Sequence, residues 1–94
     1  MHLLLIRHGQ SENNANAAKS VEAYRQGRKP DPELTELGRH QAEALGTWIG
    51  SVSPRPTKLY SSPMMRTIQT AAPVAEALDL SLIHISEPTR RYAI

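Results

Sequence analysis

The 94-residue chain has no cysteine and no phenylalanine, and its aromatic content is one tryptophan and three tyrosines. Without cysteine there is no disulfide framework and no thiolate metal site. With so few large rings the core must be thin, and a chain of this length is marginal as an independent unit. Long apolar runs are also missing. No stretch approaches the roughly 18 residues needed to cross a bilayer. The opening run Leu3–Ile6 has no basic segment before it and so does not make a secretory signal. A net charge of +2 lacks the basic footprint of a nucleic-acid binder. Neither a Gly-rich P-loop nor a GxGxxG fingerprint occurs. The expectation is one cytoplasmic unit acting on a small ligand, with no nucleic-acid or membrane partner. Nothing in the sequence indicates oligomeric state.

The residues present predict an α/β arrangement. His2–Ile6 is a short continuous apolar run, the pattern of a strand buried on both faces of a parallel sheet. Ser11 to about Arg25 is rich in Ala and Asn and predicts a loose helix. "RQGRKPDPEL" reads as a loop. Thr35 suits the N-cap of a helix from Glu36 to about Ile49, closed by Gly50. On that helix Leu37, Gln41, Ala44, Leu45 and Trp48 share the face expected to be buried. A strand is expected over Lys58–Ser61. A second helix then begins with Ser62 as N-cap and Pro63 at its first position. Met64, Ile68, Ala71, Ala72, Ala75 and Leu78 form its expected inner face, and Pro73 should kink or break it. Parallel strands joined by helices are implied, and the chain reads as the opening portion of a larger domain.

From Leu80 the pattern changes. "LSLIHISEPTR", residues 80–90, has neither helical periodicity nor a clear strand pattern, and it matches the in-frame translation of a transposon-end sequencing adaptor. Arg91–Ala93 then fit a variable index and Ile94 a constant codon. The expected organisation is therefore a native portion over 1–79 and an artefactual tail over 80–94, with Leu80 ambiguous. His84 and Glu87 carry no functional weight on this reading.

Chemistry concentrates at two strand ends. Arg7-His8-Gly9 follows the first apolar run, and ligands of open parallel sheets bind beyond the carboxyl ends of strands. Gly9 permits a tight turn and close backbone approach. A neutral imidazole is a competent nucleophile, and a guanidinium binds phosphate through paired hydrogen bonds. Taken alone, His8 is better read as a residue that merely ends a strand. "KLYSSPMMRTIQTA" supplies a second strand end before a helix N-terminus, with Arg66 in the first turn. Arg66 alone is better read as a solvated helix residue. If the strands are parallel, Arg7, His8, Ser62 and Arg66 converge on one edge beside a helix N-terminus, and a phosphate site becomes the better reading.

Three stretches in order, "LIRHGQSENN", "DPELTELGRHQAEAL" and "LYSSPMMRTIQTAAPVAEAL", resemble the histidine phosphatase superfamily, also called phosphoglycerate mutase-like, over residues 3 to about 79. The resemblance implies a three-layer α/β/α fold of which only the first part is present. It implies that His8 attacks phosphorus and becomes a transient phosphohistidine. Arg7 and Arg66 would hold the phosphoryl oxygens, Asn14 would contact the phosphate or neighbouring substrate, and Ser62 would position Arg66 or its loop. His40 is expected on the surface, and Gln10, Glu12 and Asn13 are expected as loop residues without a catalytic role. No metal or organic cofactor is implied.

The family's second pocket histidine and its leaving-group acid are not found in residues 1–79. Loss of a general acid ordinarily lowers rates about 10²–10⁴-fold, so the 94-residue chain itself is expected to be inactive and poorly folded. For the complete protein, phosphomonoester hydrolysis is the expected reaction. The alternatives are phosphoglycerate mutase-type transfer, against which Asn13 stands where the mutases usually have Trp, and a non-catalytic phosphate- or nucleotide-binding module.

Overall fold

A computed structural model describes residues 2–84. Helix α1, Glu12–Lys19, starts at a reciprocal cap. Ser11 Oγ accepts from the Asn14 backbone N–H at 3.2 Å, and Asn14 Oδ1 accepts from the Ser11 N–H at 3.1 Å. The single loose helix expected here is in fact two. Ser20, in extended backbone, ends α1 and caps α2, Val21–Gly27, its Oγ accepting from the Ala23 N–H at 3.0 Å. A short hydroxyl side chain that bonds its own backbone interrupts a weakly periodic helix in this way.

Helix α3 spans Glu36–Ile49, with Thr35 as its N-cap, and Thr35 Oγ1 accepts from the Gly38 N–H at 3.1 Å. Strand β1 is Leu59–Ser61 and helix α4 is Met65–Leu78. Strand β2, Leu82–His84, pairs with β1 in parallel, Leu59 opposite Leu82 and Ser61 opposite His84. The β1–α4–β2 unit is thus a parallel crossover, which confirms the mixed α/β class. Ile49, Val74 and Leu78 form the core, with Leu45, Val52, Leu59 and Leu80 packed against it. It is as thin as the composition predicts.

Six further expectations need correction. Residues 2–10 form no strand, and Leu3 and Leu5 stand 74% and 80% exposed. A strand exists only through its partner's backbone, and among the described residues only β1 and β2 pair, the apolar run having no ladder partner.

The buried face of α3 is Gly38, Ala42, Gly46 and Ile49, whereas Leu37 and Trp48 are 51% and 56% exposed. Small residues at i, i+4 and i+8 let backbones approach, which large side chains prevent. A Cβ on Gly46 would lie 2.9 Å from the Pro73 carbonyl oxygen on α4.

Helix α4 begins after Met64 rather than at Ser62, because Ser62 is spent in a local turn, its Oγ accepting from the Met64 N–H at 3.1 Å. Its inner face is Thr70, Ala71, Val74 and Leu78, with Ala72 outside. The helix also runs unbroken through Pro73, which the close packing on Gly46 supports. Packing here overrides the intrinsic preference.

Finally, residues 82–84 form a strand where no element is expected. Parallel pairing is made by backbone groups, so a short run of Leu and Ile suffices. The remainder of the tail, 85–94, lies outside the described residues, and no described helix is long and apolar enough to cross a membrane.

Candidate active site

Residues 7–9 form an irregular segment in which Arg7 is exposed and Gly9 is held between α3 and α4. The Gly9 N–H donates to Thr70 Oγ1 at 3.0 Å, and the Thr70 hydroxyl donates to the Arg66 carbonyl at 2.7 Å. On the other side, a Cβ on Gly9 would fall 2.6 Å from the Gly38 carbonyl oxygen. No described glycine has positive φ. Gly9 is therefore required for close approach to α3, not for an unusual turn.

Gln10 continues the anchoring. Its N–H donates to Gln41 Oε1 at 2.9 Å, and its carbonyl accepts from the Thr35 N–H at 2.9 Å. Its side-chain Oε1 accepts from the Thr35 hydroxyl at 2.7 Å. A residue expected as a plain loop position thus ties the Arg-His-Gly turn to the start of α3.

His8 Nδ1 lies 2.7 Å from the Gly9 carbonyl oxygen. A carbonyl only accepts, so Nδ1 is the donor in this contact, and in the neutral imidazole Nε2 is then the nitrogen with the free lone pair. Asn14 is oriented by the same logic. Its Oδ1 accepts from both the N–H and the hydroxyl of Ser11, which leaves its Nδ2 hydrogens as the outward donors.

An open depression of about 440 Å³ brings Arg7, His8, Gly9, Gln10, Asn14, Ala17 and Gln41 together. Three of the five expected site residues, Arg7, His8 and Asn14, share it. Arg66 sits half-buried in the first turn of α4 and Ser62 in the turn before it, and neither lines the depression. The polar neighbours not expected at the site are Gln10 and Gln41, which line it, and Thr70, which ties Gly9 to α4. Gln41 sits at the register that matches the second motif, the one signal that pointed to it. A smaller depression of about 270 Å³, lined by residues of α3 and α4 including Arg39, Glu43, Gln69 and Glu76, contains no histidine and mixes both charge signs. Among the described residues no group of three or more His, Asp or Glu is positioned to hold a metal.

The loop before α3 is pinned on both sides. Lys29 Nζ donates to Glu12 Oε2 at 2.8 Å, and Asn13 exchanges two hydrogen bonds with the Lys29 backbone at 2.8 and 3.0 Å. The Lys29 ammonium, and then the Glu33 N–H, hold the Glu12 carboxyl below its ordinary value, and Lys29 is raised in return. Asp31 Oδ1 accepts from the Met65 N–H at 2.9 Å, so a carboxylate from this loop meets the first turn of α4, where the helix dipole favours it.

The sequence profile of the histidine phosphatase superfamily (branch 1) matches residues 3–87. Phosphoserine phosphatase 1 of Hydrogenobacter thermophilus is 40% identical over 81 residues, covering 86% of this chain and 34% of that protein. A 2,3-bisphosphoglycerate-dependent phosphoglycerate mutase of Corynebacterium jeikeium is 38% identical over 78 residues, covering 83% and 28%. Among solved structures, a mycobacterial glucosyl-3-phosphoglycerate phosphatase superposes with a TM-score of 0.62 at 30% identity, covering 85% of this chain and 34% of that one. The chain therefore spans about a third or less of the relatives it matches.

Proposed function

The chain belongs to the histidine phosphatase superfamily, branch 1, and on that premise we propose that the complete protein hydrolyses phosphomonoesters through a phosphohistidine formed on His8. The observation that carries this reading is the 2.7 Å approach of His8 Nδ1 to the Gly9 carbonyl oxygen. With its proton on Nδ1 held by the Gly9 carbonyl, Nε2 is the nucleophilic nitrogen in a depression shared with Arg7 and Asn14. The Nε2 lone pair forms a bond to phosphorus while the ester P–O bond breaks, and the leaving oxygen takes a proton. Water then attacks the phosphohistidine, releasing inorganic phosphate and restoring the imidazole. Arg7 and the Asn14 amide hydrogens donate to phosphoryl oxygens, stabilising charge that develops there. Arg66 is the second clamp on this reading, with Ser62 shaping the turn that precedes it. The 94-residue chain by itself is proposed to lack turnover.

Mutase-type transfer is the second reading, since phosphoglycerate mutases are among the relatives. Against it stands Asn13, whose side chain is committed to the Lys29 backbone rather than to the depression. A non-catalytic phosphate-binding module is the third.

The experiment is trapping of acid-labile phosphoprotein from a radiolabelled phosphomonoester, using the full-length protein and its His8→Ala variant. Label on the wild type and none on the variant supports the enzyme. Phosphate affinity kept by His8→Ala with no label on either protein supports the binding module. Incubation with 3-phosphoglycerate separates isomerisation from release of phosphate.

We propose in addition that residues 81–94 are translated adaptor. Codons in the encoding DNA other than those of the adaptor would end that idea.

A further inference from the structure

The chemistry proposed above asks two side chains on separate segments, His8 on a loop and Arg66 on α4, to act on one phosphoryl group. The covalent path between them is 58 residues long, so their register depends on what crosses it in space. Thr70 crosses it. Its hydroxyl oxygen accepts from the Gly9 N–H at 3.0 Å, immediately after His8, and its proton goes to the Arg66 carbonyl at 2.7 Å. Thr70 is 5% exposed, on the inner face of α4.

We propose that Thr70 is a positioning residue, holding the His8 turn in register with Arg66 through this two-way hydroxyl; the proposal rests on the phosphohistidine reading. Three features make it more than a satisfied buried hydroxyl. Its donor is committed within the helix, so the lone pair is left to receive Gly9 and the bond has one sense. Its β-branched side chain has a restricted χ1, so the oxygen does not wander. Gly9 has no freedom to compensate, because α3 closes on its other side at Gly38. Small displacements between a nucleophile and the groups that orient its target cost rate steeply, about 10²-fold for 1 Å.

The test uses the full-length protein with p-nitrophenyl phosphate and three variants, Thr70→Val, Thr70→Ser and His8→Ala. Thr70→Val keeps the shape and removes the hydroxyl, and it should slow phosphohistidine formation about 10–100-fold, with a much smaller change in KM. Thr70→Ser should restore most of that rate. Hydrogen exchange of the Gly9 amide should be slow in the wild type and in Thr70→Ser, and faster in Thr70→Val. Equal rates for valine and wild type would overturn the proposal, as would a serine variant as slow as valine. If Thr70→Val does not fold, the serine rate and Gly9 protection in the wild type decide, and a freely exchanging Gly9 overturns it. His8→Ala keeps the two failures apart. Label surviving on that variant sinks the phosphohistidine reading, whereas label lost there but unaffected by Thr70→Val sinks only the role of Thr70.

Discussion

Gly9 and Gly38 meet backbone to backbone, and neither position has room for a side chain. A Cβ on Gly9 would lie 2.6 Å from the Gly38 carbonyl oxygen, and one on Gly38 would run into the Gln10 backbone. Helix α3 thereby serves as the wall against which the His8 turn is set. Gly38→Ala should push that turn away, destabilising the chain by about 1–3 kcal/mol, the usual cost of overpacking. Gly50→Ala is the control, since its nearest neighbour is 3.7 Å away and its φ is −62°. That change should be neutral or stabilising by up to about 1 kcal/mol. Urea denaturation of both variants measures the contrast.

Thr35 has two tasks. Its hydroxyl oxygen caps α3 by accepting from the Gly38 N–H, and its proton goes to Gln10 Oε1. Thr35→Ala should cost about 1–2 kcal/mol from the cap alone. Thr35→Ser should recover most of it, and the midpoint of urea unfolding reads both.

The Glu12–Lys29 pair makes stability depend on pH at both extremes. The Glu12 carboxyl is held below its ordinary 4.5, so its contribution is complete above that pH and is lost as pH falls through the lowered value. Lys29 is raised above 10.5, so its contribution is complete below that pH and is lost as pH rises through the raised value. Lys29 is exposed and Glu12 half-buried at the surface, so the pair is open to screening by salt. Thermal melts should show Glu12→Gln flattening the acid limb below about pH 4.5, and added salt narrowing the difference between variant and wild type at neutral pH.

Leu3 and Leu5 leave apolar area in water that would each contribute about 1.5–3 kcal/mol if buried. Such a run, together with the unpaired edges of a sheet that has two strands among the described residues, favours association. The 94-residue chain should sediment as larger species with rising concentration, and Leu5→Lys should shift it toward monomer.

Features encoded within a few consecutive residues were legible without coordinates. Thr35 before an amphipathic run set the start of α3, and its predicted end at Ile49 is the observed one. The β1 strand was off by one residue, and the Arg-His-Gly motif pointed to a pocket that Arg7, His8 and Asn14 do share. Such features carry their cause in local backbone chemistry, although the same signals misplaced the start of α4 at Ser62 and missed the break at Ser20. Which face of α3 is buried, whether Leu3–Ile6 pairs, and that Thr70 receives Gly9 were not legible in that way. Each depends on what lies opposite across a long separation in sequence. Hydrophobicity alone favoured Trp48 for the interior, while the close approach of two helices selected Gly38, Ala42 and Gly46 instead, because contact between backbones rewards the absence of a side chain.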